Sequence, residues 1–493
     1  MRRALLPLLL TLTALALVAT GCGGKSSSSS SLDDSLGYIP KNSLAVVAIK
    51  TNPDDAQFKN VNKLIDKFPF ASQIKERFKQ GIQTGGAKIN YDSDIKPLLG
   101  NDLVVGVPPS SIGQGSNTQF VLAWKTAGGD IGKLVESGNS RKVGEVEGAT
   151  VYQDADGSAF AVKGDTLVAA KTLQLLDAAL KGHGASDRMS EDDFNNALGD
   201  LDQDALVRVT GNFQTIFASS PNTAQALKVP WVKGLRTFGA TLATAEDGIS
   251  ENFEVKTEGV SAEQQPLATG PAAPPVVQRP GEIGIGLRGP SQIVKFVEDV
   301  ATVTDPKSLL NKDKVGKQLG VDIDTDVVGQ LGENSTASVS LDGKAAARAD
   351  LKDPAAFKKT LATIMKNLNK ARGAEGKPPA KIENSNGLYT VQTPEDNHPT
   401  VIGVVGNVLA IADDAERAQE IAGQSASPVP GAKGALVVTA DPKSLVSEIL
   451  KKQGNSGAAL IIGPALSAHL ESLNGSVESE ADGLRGAFKL TIK

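Results

Sequence analysis

The sequence predicts an α+β fold made of two tandem related domains, each a mainly antiparallel sheet covered by amphipathic helices. Three observations carry that prediction. Short apolar runs follow one another with turn residues between them, which favours antiparallel strands joined by hairpins over parallel strands joined by crossovers. Helix-period apolar patterns are interspersed among those runs. Several runs also recur in the same order on either side of a Pro- and Ala-rich segment at residues 261–280.

The first half, residues 38–260, reads as a strand at Ala45 to Ile49, helical patterns to about Lys79, and strands at Leu103 to Val107 and Phe120 to Trp124. A helix follows at Asp130 to Ser137. Strands come next at Val143 to Val146, Thr150 to Gln153, Ala159 to Lys163 and Thr166 to Ala170, then a helix at Leu173 to Leu180 and a strand at Ala205 to Val209. The helices are expected to cover one face of the sheet. In residues 281–493, Leu331-Gly332-Glu333 matches Leu99-Gly100-Asn101, and Gly406 to Ala412 matches Gly164 to Ala170. Asp482-Gly483 likewise matches Asp247-Gly248, and each pair reads as the centre of a two-residue hairpin turn, where glycine tolerates positive φ. The helix at Ser291 to Val300 places Ile293, Phe296, Val297 and Val300 at core-facing spacing, so that stripe is expected to be buried. The Pro/Ala segment between the halves reads as an extended, semi-rigid linker.

Composition narrows the function. Of 493 residues, 40% are hydrophobic and 22% charged, ordinary globular values that disfavour wholesale disorder and a multispan membrane protein. Aromatics make up only 4% and the net charge is −5, leaving few stacking platforms for sugars or bases and a mild acidity that disfavours nucleic acid.

Residues 1–21 read as a lipoprotein signal peptide. Arg2 and Arg3 precede a mostly apolar run from Ala4 to Ala19, which ends at Ala19-Thr20-Gly21-Cys22. Small residues before the only cysteine are what a lipoprotein signal peptidase needs once that thiol carries a diacylglyceryl group. The expected lipid attachment is therefore Cys22, with acyl chains such as palmitate holding the mature protein to the outer face of the cell membrane. Cleavage removes both arginines and takes the charge from −5 to −7. Residues 22–37, with six serines at Ser26 to Ser31, read as a flexible tether.

Three motifs bear on chemistry. Gly284-Ile285-Gly286-Leu287-Arg288-Gly289 has the glycine spacing of a dinucleotide loop, but Gly284 and Gly286 align with Val47 and Ile49 inside a strand, and no acidic residue follows at ribose-binding distance. Asp322, Asp324, Asp326 and Glu333 have the carboxylate spacing of a calcium loop, with Val327 where such a loop needs glycine. The first half has Asn90, Asp92, Asp94, Ile95 and Asn101 at the same places, so the shared element reads as a polar turn and the four acids as the one metal-site candidate. His183, His398 and His469 lack zinc-ligand spacing and read as surface or loop residues. No nucleophile-elbow or His-Glu-x-x-His motif occurs. No catalytic residue and no cofactor is assigned.

The lipoprotein start, the segment Tyr38-Ile39-Pro40-Lys41-Asn42-Ser43-Leu44-Ala45-Val46-Val47, and Asp94-Ile95-Lys96-Pro97-Leu98-Leu99-Gly100-Asn101-Asp102 together resemble the bacterial domain-of-unknown-function family 3352. The resemblance spans nearly the whole mature chain, most clearly its first half; Gly329 and Gln330 depart from the Pro97 and Leu98 pattern. It implies a secreted or anchored protein and supplies no catalytic residues. The expectation is a lipid-anchored, extracytoplasmic cell-envelope protein that is not an enzyme: a binding or scaffold module for an envelope protein or polymer. The alternative is a carrier of a lipid or other apolar molecule, and a hydrolase ranks third.

Overall fold

The computed structural model describes residues 29–76, 90–113, 118–132, 135, 140–220, 223–304, 312–396, 398–453 and 466–493. The leader, Cys22 and the serines before Ser29 lie outside the described residues, as does half of the helix expected at Asp130 to Ser137. The fold is mixed α+β with extensive antiparallel pairing, and it divides into two compact units. One runs to Thr223 and takes Leu235–Lys256 and Ile492–Lys493; the other takes Ala224–Gly234 and Thr257–Thr491. Ala224–Gly234, expected within the first half, thus belongs to the second unit.

In the first unit a helix, α1 (Ser29–Leu36), precedes strand β1 (Ala45–Ile49) and helix α2 (Ala56–Asp66). Strands β2 (Leu103–Val107), β3 (Val121–Lys125), β4 (Arg141–Val146), β5 (Ala149–Gln153), β6 (Ala159–Lys163) and β7 (Thr166–Ala170) follow, then α3 (Leu173–Gly182) and α4 (Glu191–Leu198). The rest is β8 (Val207–Asn212), α5 (Phe213–Ser219), α6 (Pro230–Gly234), β9 (Leu235–Ala245) and β10 (Gly248–Thr257), with α6 falling in the other unit. The ladders run β4-β5-β6-β7-β3-β2-β1-β8-β9-β10.

Helices cover both faces of this sheet, where one covered face was expected. Val46 and Ala48 of β1 pack with Leu32 and Leu36 of α1, Leu176 and Leu180 of α3, and Phe194 of α4. The alternate residues Val47 and Ile49 pack with Phe58, Val61 and Ile65 of α2. Successive side chains in a strand point to opposite faces, so an uninterrupted apolar run such as Ala45–Ile49 marks a strand buried on both.

The tether also ends earlier than expected. Ser29 to Leu36 forms α1, with Leu32 at 3% and Leu36 at 0% exposure. The Asp34 main-chain carbonyl accepts from His183 Nε2 (3.2 Å), and the His183 ring stacks on Tyr38 at 4.0 Å. Burial, with Asp34 and then Asp165 nearby, pushes the Tyr38 phenol up to about 12.

The second unit comprises β11 (Glu282–Arg288), α7 (Pro290–Thr304), α8 (Lys312–Leu319), β12 (Leu331–Ser340), β13 (Ala345–Leu351), α9 (Pro354–Ala374), β14 (Lys381–Ser385), β15 (Leu388–Gln392), β16 (Thr400–Val405) and β17 (Val408–Ala412). It ends with α10 (Ala415–Gly423), β18 (Leu436–Ala440), α11 (Pro442–Gln453), β19 (Leu470–Glu480) and β20 (Gly483–Ile492). Its ladders run β14-β15-β16-β17-β13-β12-β11-β18-β19-β20. Ala410 and Ala412 pack with Ala418 and Ile421 of α10, while Leu409 packs with Phe357 and Leu361 of α9 on the other face.

Two turn assignments differ from expectation. The turn residues before β10 are Glu246 and Asp247, and before β20 Ala481 and Asp482, so each expected turn glycine begins the strand instead. The turns with positive φ at both central residues join other strands: Glu147 (51°) with Gly148 (75°), and Asn386 (52°) with Gly387 (85°).

The segment expected as a semi-rigid linker runs as a strap built into the second unit. Val276 and Val277 are buried, and Val276 exchanges two backbone hydrogen bonds of 2.9 Å with Ser427. The Val277 N–H donates to Thr336 Oγ1 (3.0 Å). Arg288 Nε donates to the Ala272 carbonyl (2.8 Å), while its Nη2 reaches those of Thr269 and Gly270 (2.9 Å each). Gly284 and Gly286 make room for the strap, since a Cβ on Gly286 would lie 2.8 Å from Val276 Cγ2 and 3.1 Å from the Pro275 carbonyl.

Two substitutions check these departures by denaturant unfolding of the full chain. Leu36→Ala is expected to cost about 2–5 kcal/mol, the range for truncating a fully buried leucine. A tether residue would cost nothing. Gly286→Val is expected to destabilise by about 1–3 kcal/mol through overpacking against the strap.

Candidate functional site

The residues expected to form the core stripe of α7 instead divide between two neighbours. Phe296 faces Trp231 edge-on, with ring centroids 5.7 Å apart, and the Trp231 indole N–H donates to Gln265 Oε1 (3.2 Å). Ile293 and Val297 turn the other way, joined by Val294. Val297 is 49% and Val294 40% exposed, among the largest exposures of any bulky apolar residue described. The stripe is therefore only partly core, because the neighbouring elements stand off from it.

That separation leaves a groove of about 380 Å³ lined by Ile293, Val294, Val297, Val315, Ile323 and Val328, with Glu298 and Lys312 at its polar end. The volume falls near the lower end of the roughly 300–1,000 Å³ usual for small-molecule sites. Lys312, the first residue of α8, reaches Glu298 of α7 at 3.2 Å and Asp324 at 3.0 Å. Its hydrogen bond to Asp324, with Glu298 adding to it, holds the ammonium above the usual lysine range and so charged at neutral pH. The sequence reading missed Val294, Glu298, Lys312, Val315, Ile323 and Val328; the available signal was that α7 is apolar at consecutive positions, a wider stripe than one packing face needs.

The floor is held by the polar turn seen in the sequence. Asp322 caps a one-turn π-helix, Ile323–Val327, by accepting from Thr325 N–H (3.0 Å), and Asp326 accepts from Asp322 N–H (2.9 Å). The Thr325 N–H also holds the Asp322 carboxyl below the usual range. The first unit has the same device, with Asn90 capping Tyr91–Ile95 and Asp94 accepting from Asn90 N–H (2.7 Å). Asp322, Asp324 and Asp326 thus serve a cap, an ion pair and a return hydrogen bond, while Glu333 stands in β12. Among the described residues, no group of three or more His, Cys, Asp or Glu side chains converges as a metal site would.

The remaining motifs are accounted for elsewhere. Gly284 and Gly286 lie inside strand β11 with Val276 of the strap against both, a strand position and not a phosphate-binding loop. His183 is half-buried against α1, His398 is exposed, and His469 stands next to the start of β19. Two arginines are buried with carboxylates, Arg208 with Asp102 in the first unit and Arg417 with Glu282 (2.9 Å) in the second. Ser338 also donates to Glu282, so the second pair ties β11, β12 and α10 together. Arg417→Met would leave the Glu282 charge buried with its main partner gone, and a loss of about 3–5 kcal/mol in unfolding free energy is expected.

None of the described helices is long and apolar enough to cross a membrane. No curated protein matches the sequence. Among solved structures, crystal form III of TP0453 is similar over 46% of this chain and 81% of its own, at 11% identity and a TM-score of 0.28. Crystal form I of TP0453 is similar over 48% and 82%, at 10% identity and a TM-score of 0.28. The family described as protein of unknown function (DUF3352) matches residues 4–340, ending in β12 rather than extending over nearly the whole mature chain. That match exceeds half of the sequence, and the chain belongs to the DUF3352 family.

Proposed function

We propose that the protein is a lipid-anchored, extracytoplasmic binding protein of the cell envelope, without catalytic activity, whose second unit takes an apolar group in the groove beside α7. The carrying observation is the difference between the helices that follow the first strand of each unit. In α2, Phe58, Val61, Leu64 and Ile65 are all buried. In α7, Val294 and Val297 stay open to solvent, and an apolar surface left exposed in a concave site gains free energy when a ligand covers it.

The two units are proposed to descend from one duplicated domain. Their strand orders correspond ladder for ladder, and both carry the capped π-turn followed by a short 3₁₀ turn. On that reading the sealed helix in the first unit is a scaffold and the unsealed one in the second is the binding element. The anchor is Cys22, inferred from the apolar leader and the small residues before the only thiol. Of the readings the sequence allowed, the groove favours the apolar carrier over a scaffold that presents only its outer surface.

Native mass spectrometry of the full-length protein extracted from its own membrane tests the binding reading. One equivalent of a co-purifying apolar molecule is expected on the wild type and none on Val297→Asn. A clean apo mass for a folded wild type would overturn it. The anchor is checked separately by labelling cells with alkyne palmitate, where incorporation is expected in the wild type and absent in Cys22→Ser.

A further inference from the structure

We infer that the groove selects amphiphiles by the charge of their polar end, taking a short alkyl chain with a cationic head in preference to an anionic one. This rests on the groove being the ligand site.

The argument starts from the charges at its polar end. Lys312 is the cation there, and it lies between two carboxylates, Glu298 at 3.2 Å and Asp324 at 3.0 Å. One ammonium against two carboxylates leaves that end net negative. The neighbouring lysines face elsewhere: Lys314 is turned to Glu375 at 4.0 Å, and Lys295 is exposed and acts on Glu263. Asp322 and Asp326 add negative charge on the turn that carries Ile323.

An alkyl chain laid against Ile293, Val294, Val297 and Val315 brings its head to this end. An anionic head there has to compete with Glu298 and Asp324 for Lys312 and is repelled by whichever it does not displace. An ammonium head is drawn by the net negative charge to Asp324, the more exposed of the two carboxylates (57% against 20%), and shares it with Lys312. The cavity limits the apolar part as well, because about 380 Å³ suits one short chain better than a two-chain lipid.

Octylamine, octanol and octanoate, titrated calorimetrically into the full chain in nanodiscs, separate the possibilities. The same titration with Val297→Asn serves as the blank that removes partition into the bilayer. Octylamine is expected to bind about fivefold more tightly than octanoate, the scale of a partly exposed ion pair, with octanol between. Asp324→Asn is expected to narrow that ratio, as is raised salt. Equal or tighter binding of octanoate would overturn the selectivity while leaving the groove as a ligand site. No difference between wild type and blank for any of the three would overturn the groove reading itself, and sedimentation as a dimer that Val297→Asn abolishes would assign the face to a second copy of the chain.

Discussion

Double-sided burial of the sheet is the constraint from which the other features follow. A strand such as β1, apolar at every position, stabilises the fold only if both of its faces are removed from water, and at roughly 25 cal/mol per Å² each uncovered face forgoes a large part of the hydrophobic gain. In the first unit α1, α3 and α4 cover one side and α2 the other. In the second unit α10 and the strap share one side and α9 takes the other. Segments that look like connectors in sequence are recruited for this work. Leu32 and Leu36 fold the end of a serine-rich stretch onto the core, and Val276 and Val277 bring a proline-rich stretch down onto β11.

The strap shows how one local choice fixes another. Its extended backbone lies close to β11 only because Gly284 and Gly286 carry no Cβ. The same two glycines produced the resemblance to a nucleotide loop. Their spacing reflects strand period rather than a phosphate cradle: residues two apart share a face, and both open the same notch. Arg288 then secures the strap's entry by donating to several of its carbonyls, which would otherwise lack partners close to the protein surface.

Much of the fold was legible because strand signals are local. The runs Ala45–Ile49, Leu103–Val107, Ala159–Lys163 and Thr166–Ala170 form strands with the bounds their apolar residues suggest. What failed to show was whatever depends on partners distant in sequence. Helix α1 has a serine-rich sequence of poor helix propensity, and packing of Leu32 and Leu36 overrides that preference. Coverage of both faces is implicit in the continuous apolar runs, whereas the sequence reading expects helices over one face only. The groove was hidden for a further reason. Periodicity reports that α7 has an apolar stripe, yet not whether a neighbour arrives to cover it, and Lys312 becomes part of the site only through the placement of α8.

The contrast between α2 and α7 also bears on how the groove beside α7 arises. A large apolar side chain such as Phe58 fills the space between helix and sheet, and a well-packed interior tolerates little further volume. Smaller β-branched residues in α7 cannot span the gap to α8 and the π-turn, and their stiff side chains do not rearrange to fill it. The resulting surface carries a free-energy cost for the empty protein, since Val294 and Val297 keep water against apolar area. On the proposal that the two units descend from one domain, one copy can carry that cost while α2 in the other stays buried. The groove is therefore best understood as stability given up locally, in a unit whose remaining sheet is covered on both faces, for a concave apolar surface with a fixed charge at one end.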